Sequence, residues 1–184
     1  MNAMLGGVVT SGLRWQVGSA EGFDALVHAR LDACYRLAAV LLGDRIEAED
    51  AVHDAVLRAQ RSWGGVRDPG AATAWLDRIV VNECRDRLRR RRVGRAVLAA
   101  QSPISLTSGP EGEAAVERAA LRDALGILSP DHRVVVVLRY LFDLPVDDIA
   151  ARTGTPAGTV KSRLHHALRQ LRAAYDAAER LDVR

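Results

Sequence analysis

Five histidines and two cysteines are the side chains best equipped for proton transfer, nucleophilic attack or metal ligation. Their spacing serves none of the three. His165 and His166 are neighbours, so on a helix their rings point about 100° apart and cannot chelate one ion together. His28, His53 and His132 stand alone. Cys84 has Arg85 beside it but no histidine at a helical-face spacing to support a thiolate nucleophile. Cys34 and Cys84 each sit inside a helical pattern and form no close-spaced motif, which predicts packing roles in a reduced, cytosolic protein. The expectation is no catalytic residue, no metal and no cofactor.

The chemistry present in quantity is that of guanidinium groups. The 184-residue chain carries 25 Arg and one Lys. A GC-rich coding sequence explains that ratio, so the count by itself says nothing about nucleic acid. The distribution says more. Net charge is only +3, yet residues 78–95 hold eight Arg against Glu83 and Asp86, a net of +6. Residues 152–172 hold four Arg and Lys161 with no acid, a net of +5, while residues 44–54 hold five acids against Arg45, a net of −4. Two separated basic blocks fit two contact sites for a polyanion.

Elements must position these charges. Hydrophobic content of 48%, 27% charged residues and only 4% aromatics predict soluble helical cores rather than a sandwich. No apolar run approaches the roughly 20 residues that span a bilayer, and the opening "MNAMLGGVVTSG" makes a poor signal peptide, so a cytoplasmic location without membrane insertion is expected. Residues 22–42 read as a helix stopped by Gly43. Asp44, with Glu47 three residues on, caps the next. Along that helix Ala48, Val52, Ala55, Val56, Ala59 and Trp63 form a buried stripe, and Asp50, His53, Asp54 and Leu57 fall opposite. "GGVRDPG", residues 64–70, is a loop of helix breakers. A helix from about Ala71 to Arg92 follows, with Trp75, Leu76, Ile79 and Val80 on its core side. On the other side Arg78, Asn82, Arg85 and Arg89 line one stripe, offering donors to phosphates and base edges.

Residues 93–112, which include "QSPISLTSGPEGE", lose periodicity and read as a flexible linker. Beyond it Ser129 and Pro130 open a helix carrying four successive valines. Then comes "DLPVDDIAARTGTPAGTVKSRL". The short helix, the turn at Gly154 and a second helix opened by Thr155 as N-cap and Pro156 fit a helix-turn-helix. Ala150 is small where the helices cross, and Ile149 and Val160 clamp them from inside. On the second helix Val160, Leu164, Ala167, Leu168 and Leu171 form the apolar stripe. Ser162, His165, His166 and Arg169 face away, with Lys161, Arg163 and Arg172 on the flanks. The fold class predicted is all-α: two small helical domains on a flexible linker, the C-terminal one containing a helix-turn-helix.

"IAARTGTPAGTVKSRLHHALRQLR" resembles the promoter-reading C-terminal module of bacterial extracytoplasmic-function sigma factors of RNA polymerase, members of the sigma-70 family. "LAAVLLGDRIEAEDAVHDAVLRA", "AWLDRIVVNECRDRLRRRR" and "LSPDHRVVVVLRY" look like that family's core-binding, promoter-melting and C-terminal segments, in the family's order, over about residues 22–175. The resemblance implies a tail at 1–20, a region 2-like domain at 21–92, a linker at 93–112, a region 4-like domain at 113–176 and a tail at 177–184. It implies docking on core RNA polymerase, on the β′ clamp through Asp50, His53, Asp54 and Leu57 and on the β flap. The loop 64–72 would capture a flipped base of the −10 element. Arg78 and Asn82, with Arg85 and Arg89 along the same stripe, would face −10 DNA. Lys161, Ser162, Arg163, His165, His166 and Arg169 would face −35 DNA. His166 stands where the family usually has Arg, and a neutral imidazole lacks the forked donor pair that reads guanine. Many members of the family are held inactive by an anti-sigma factor.

Other readings stay open at this level. A helix-turn-helix regulator that is no polymerase subunit explains the second half but not the first 92 residues. A nonspecific nucleic-acid binder shares the salt dependence and lacks the sequence discrimination.

Overall fold

The computed structural model describes residues 19–99 and 113–182, and every regular element among them is helical. The helices are α1 (Ala20–Leu42), α2 (Arg45–Ser62), α3 (Ala72–Ala99), α4 (Glu113–Gly126), α5 (Pro130–Val136), α6 (Val146–Thr153) and α7 (Ala157–Asp182).

Local chemistry sets the first three. The Ser19 hydroxyl accepts from Gly22 N at 3.1 Å and starts α1. Gly43 ends it in a left-handed conformation, φ 68°, which glycine adopts without the Cβ penalty. Asp44 Oδ1 then accepts from Glu47 N at 2.9 Å, the cap expected for α2. Ala48, Val52, Ala55, Ala59 and Trp63 are buried as the spacing predicts, with Val56 half-buried. Four alanines on one face let α2 lie close to Leu37, Leu41 and Leu42 of α1 and to Val80, Val81 and Cys84 of α3. Trp63 plugs the loop end of this bundle. Its ring centroid lies 5.7 Å from those of both Phe23 and Trp75, and Nε1 donates to Ser19 O at 2.8 Å.

In the second half Ser129 caps α5 through His132 N at 3.3 Å, with Pro130 in the first turn. The four valines are helical. Valine disfavours a helix by roughly 0.7 kcal/mol or less, while full burial of its side chain contributes about 1.5–3 kcal/mol, so packing decides. Val134, Val135 and Val137 are fully buried. The helix widens into a π-turn over Val137–Leu141, where Phe142 N reaches back to Val137 O at 3.2 Å. Gly154, φ 64°, turns α6 into α7, and its N–H and that of Thr155 both donate to Ala150 O.

Four expectations change in detail. The third helix does not stop at Arg92 but runs to Ala99. Nothing in residues 93–99 forbids this, since the single Gly94 costs only about 1 kcal/mol and no proline intervenes. Helix α7 likewise continues to Asp182. Thr155 is not the side-chain cap of α7: its hydroxyl meets Thr153 Oγ1 at 2.8 Å, and the Pro156 carbonyl accepts from Val160 N. On α7 Val160, Leu164 and Ala167 are buried and Leu171 half-buried, but Leu168 is exposed. The rest of the expected linker, residues 100–112, and residues 1–18 and 183–184 of the tails lie outside the described residues.

The two helical groups are packed together. α6 lies along α3, α5 touches α3, and the buried side chains of both groups form one contiguous core. Ala33 and Leu37 of α1 line, with Leu138, Phe142 and Leu144, a narrow cavity at this seam.

Candidate nucleic-acid interface

α7 carries the cleaner of the two basic surfaces. Ile149 and Val160 are fully buried against each other's helices, which fixes the angle at which α7 leaves the turn. Lys161, Ser162, His165, His166 and Arg169 are all exposed along one side. This is the row the sequence reading picked out, with one exception. Arg163 is half-buried and lies 3.6 Å from Asp131 of α5. His166 is held by its neighbours: its ring stacks on His132 with centroids 6.3 Å apart and planes 14° apart, and His165 meets it edge-on at 5.8 Å. His132 Nδ1 is itself 3.2 Å from Gln170 Oε1.

The arginine-rich end of α3 divides into two populations. Arg87, Arg90 and Arg91 hold structure. Glu83, 4% exposed, is ringed by Arg58 at 3.0 Å, Arg87 at 3.0 Å and Arg90 at 3.6 Å. Arg87 also pairs with Asp54 on the exposed side of α2. Burial disfavours its charge, but Glu83 and Asp54 outweigh that and raise its pKa above the ordinary arginine value. Arg91 pairs with Glu47 and donates to Leu42 O at 2.7 Å. The acidic face of α2 therefore keeps Asp50, His53 and Leu57 exposed, with Asp54 exposed and ion-paired.

Of the stripe Arg78, Asn82, Arg85 and Arg89, the two arginines Arg85 and Arg89 reach the second helical group. Arg85 is held 3.3 Å from Thr153 O and 3.4 Å from Asp131, and Arg89 lies 3.0 Å from Asp131. Asp131 thus gathers Arg85 and Arg89 from α3 and Arg163 from α7. Burial raises its pKa, but the three guanidinium groups outweigh burial and hold it below the ordinary carboxylate value. Burial lowers the Arg85 pKa, only partly offset by Asp131. Arg78 is exposed, with its Cδ beside Gly154.

Four residues of this seam escaped the sequence reading. Asp77, 3% exposed, accepts from Arg30 of α1 and from Arg152 of α6, each at 2.9 Å. Its signal was available: an acid on the apolar side of α3, between Leu76 and Val80, must find a cation to be buried. Asp131 offered none, because an acid in the first turn of a helix needs no other explanation.

The cysteines are free and buried, and burial pushes both thiols up to about 12. Among the described residues no group of His, Cys, Asp and Glu is arranged to hold a metal, and no helix is long and apolar enough to cross a membrane.

Residues 26–93 match the family described as Sigma-70 region 2, and residues 118–171 match Sigma-70, region 4. The RNA polymerase sigma-E factor of Streptomyces avermitilis is 35% identical over 167 residues, 91% of this chain and 92% of that protein. The extracytoplasmic-function (ECF) sigma factor SigL of Mycobacterium tuberculosis is 37% identical over 162 residues, 84% of this chain and 92% of SigL. Among solved structures, the sigma factor RpoE in complex with the anti-sigma factor NepR from Bartonella quintana superposes with a TM-score of 0.65 at 25% identity, covering 85% of this chain and 98% of RpoE. CnrH in complex with the cytosolic domain of CnrY superposes at 0.63 with 27% identity, covering 87% of this chain and 91% of CnrH.

Proposed function

The chain belongs to the sigma-70 family as an extracytoplasmic-function sigma factor, a protein that directs transcription initiation, and from that premise we propose which of its surfaces do the work. The exposed row on α7 carries the reading: Lys161, Ser162, His165, His166 and Arg169 stand along one side of the helix that follows the Gly154 turn. That is the geometry by which a second helix enters a major groove. We assign this row, with Arg163, to the −35 element. The α3 stripe, Arg78, Asn82, Arg85 and Arg89, is assigned to the −10 element, with the loop 64–72 as the place for an unstacked base.

Asp50, His53, Asp54 and Leu57 on α2 form the face offered to the β′ clamp of core RNA polymerase. The C-terminal module, residues 113–176, meets the β flap, and residues 21–92 form the other module. Phosphate contacts by arginine set position, base-edge contacts set sequence, and the polymerase performs the bond chemistry in the cytoplasm. RpoE and CnrH were each captured with a second protein, RpoE with an anti-sigma factor. A protein regulator of that kind is proposed for this chain as well.

The test is reconstituted transcription with core polymerase over a library of promoter fragments. A limited promoter set initiated above core enzyme alone is the expected result. Initiation no better than core enzyme alone would overturn the assignment of surfaces.

A further inference from the structure

The row assigned to the −35 element is built on one helix, yet one of its side chains is held from another. Arg163, His166 and Gln170 stand at i, i+3 and i+7 on α7, so they share a side of that helix. Across from them lies the first turn of α5. Asp131 is 3.6 Å from Arg163. The His132 ring stacks on His166, with centroids 6.3 Å and planes 14° apart, and its Nδ1 is 3.2 Å from Gln170 Oε1. We propose that His132 is a positioning residue for −35 recognition: it fixes the plane of the His166 ring, and with it the base edge that ring can meet. The proposal rests on the assignment of the α7 row to the −35 element.

His132 is itself a fixed point. Its backbone N–H donates to the Ser129 hydroxyl at 3.3 Å, and Pro130 presets the backbone of the same turn. The next residue, Arg133, is buried and donates to Leu41 O and Leu125 O, so the chain is pinned on both sides of His132. An amide oxygen only accepts, so Nδ1 of His132 carries the proton and donates to Gln170. The ring is half-buried, whereas that of His166 is exposed.

His166 needs such a support. An exposed side chain has several staggered rotamers open to it. His165 touches the His166 ring edge-on at 5.8 Å, but it rides on the same helix. His132 belongs to α5 and ties the ring to the body of the module. An arginine fork carries two parallel donors and sets its own plane on guanine. An imidazole offers a base one nitrogen at a time, at the ring edge, so its plane has to come from a neighbour. A stack occupies the face of the ring and leaves that edge for DNA. Contacts to a base discriminate best when packing has locked the rotamer that makes them. Lys161 and Arg169, exposed on the same helix, supply charge for phosphates, which set position without reading sequence. The His132 contribution therefore falls on the choice of base and not on the overall hold.

The experiment uses the full chain with core polymerase and selects initiating promoters from a library randomised over the −35 element. His166→Ala first identifies the base pair at which preference flattens. His132→Ala should relax the preference at that same pair by about 3- to 10-fold, the scale of ordering one side chain, and leave the other −35 positions unmoved. His132→Phe keeps an aromatic face and removes the Nδ1 donor, so it should restore most of the preference. An unchanged preference in His132→Ala, where His166→Ala flattens it, overturns the positioning role. Equal weakening at every −35 position also overturns it, because a general loss of structure or of a phosphate contact acts in that way. Relaxation in His132→Ala that His132→Phe does not restore overturns the stack as its cause. If His166→Ala itself moves no base preference, the assignment of residue 166 to the −35 bases is what fails, and the role of His132 falls with it.

Discussion

Arg133 of α5 donates from Nη1 to Leu41 O at 3.1 Å and from Nε to Leu125 O at 2.9 Å. A buried guanidinium in the second module thus closes the carboxyl end of the first helix. A cation there suits the α1 dipole, and two carbonyls that would otherwise be buried without water find a donor. Arg133→Met keeps the volume and removes both bonds. The expected loss is about 2–4 kcal/mol, from two carbonyls left unsatisfied, read as a lower urea midpoint. An unchanged midpoint would show that water replaces the guanidinium.

Arg78→Ala with Asn82→Ala should cut initiation about 10- to 100-fold, the scale of one or two lost base or phosphate contacts. Binding to core polymerase should hold, because neither residue lies on the α2 face. A double variant that no longer bound polymerase would reverse the assignment of the two faces. Single-round transcription beside a polymerase pull-down separates these outcomes.

His166→Arg adds a forked donor at an exposed position on α7. Selection from a randomised −35 library should then shift toward guanine at one position, by about tenfold or more. The stacked His132 ring limits the swing of the new side chain, so a preference unmoved by the change would place residue 166 off the base edges.

Asp131 gives the seam between α3, α5 and α7 a pH signature. Its folded pKa is depressed, so it contributes stability in full above its ordinary value of 3.8 and loses that contribution as pH falls through the lower folded value. The Asp131 contribution to stability should therefore be constant across neutral pH and fail only in strong acid. Asp131→Asn should flatten that acid limb in a plot of urea midpoint against pH.

Cys34 and Cys84 should resist iodoacetamide in the native protein at pH 8. Both thiols are buried and pushed up to about 12, and the thiolate is the reactive form. Labelling should appear only with unfolding, so mass spectrometry along a urea series gives an independent measure of the stability of the α1–α3 bundle.

The parts legible in the sequence are those with a local cause. The α2 stripe follows from 3.6-residue spacing, the starts of α2 and α5 from Asp44 and Ser129, and the turn from Gly154. The seam has no such cause. Arg78, Arg85, Arg87 and Arg91 look alike along the chain, yet they are sorted by partners far away: Gly154, Asp131, Glu83 and Glu47. Periodicity puts Arg85 on the correct side of α3 and is silent on what lies across from it. Leu168 was misread for a related reason. Helical spacing gives it to the apolar stripe, but burial depends on whether another element covers that edge of α7.

The continuation of α3 to Ala99 sets a ruler. Thirteen residues separate Ala99 from Glu113, and covalent geometry lets that tether span about 45–50 Å at full stretch. Along B-DNA this is about 14 base pairs at 3.4 Å each. A twenty-residue tether beginning after Arg92 would reach about 70 Å. Each residue that unwinds from the end of α3 lengthens the tether by roughly 2 Å, the difference between extended and helical rise. Under the proposed assignment of one module to each promoter element, the spacing tolerated between the elements is coupled to how firmly the last two turns of one helix are wound.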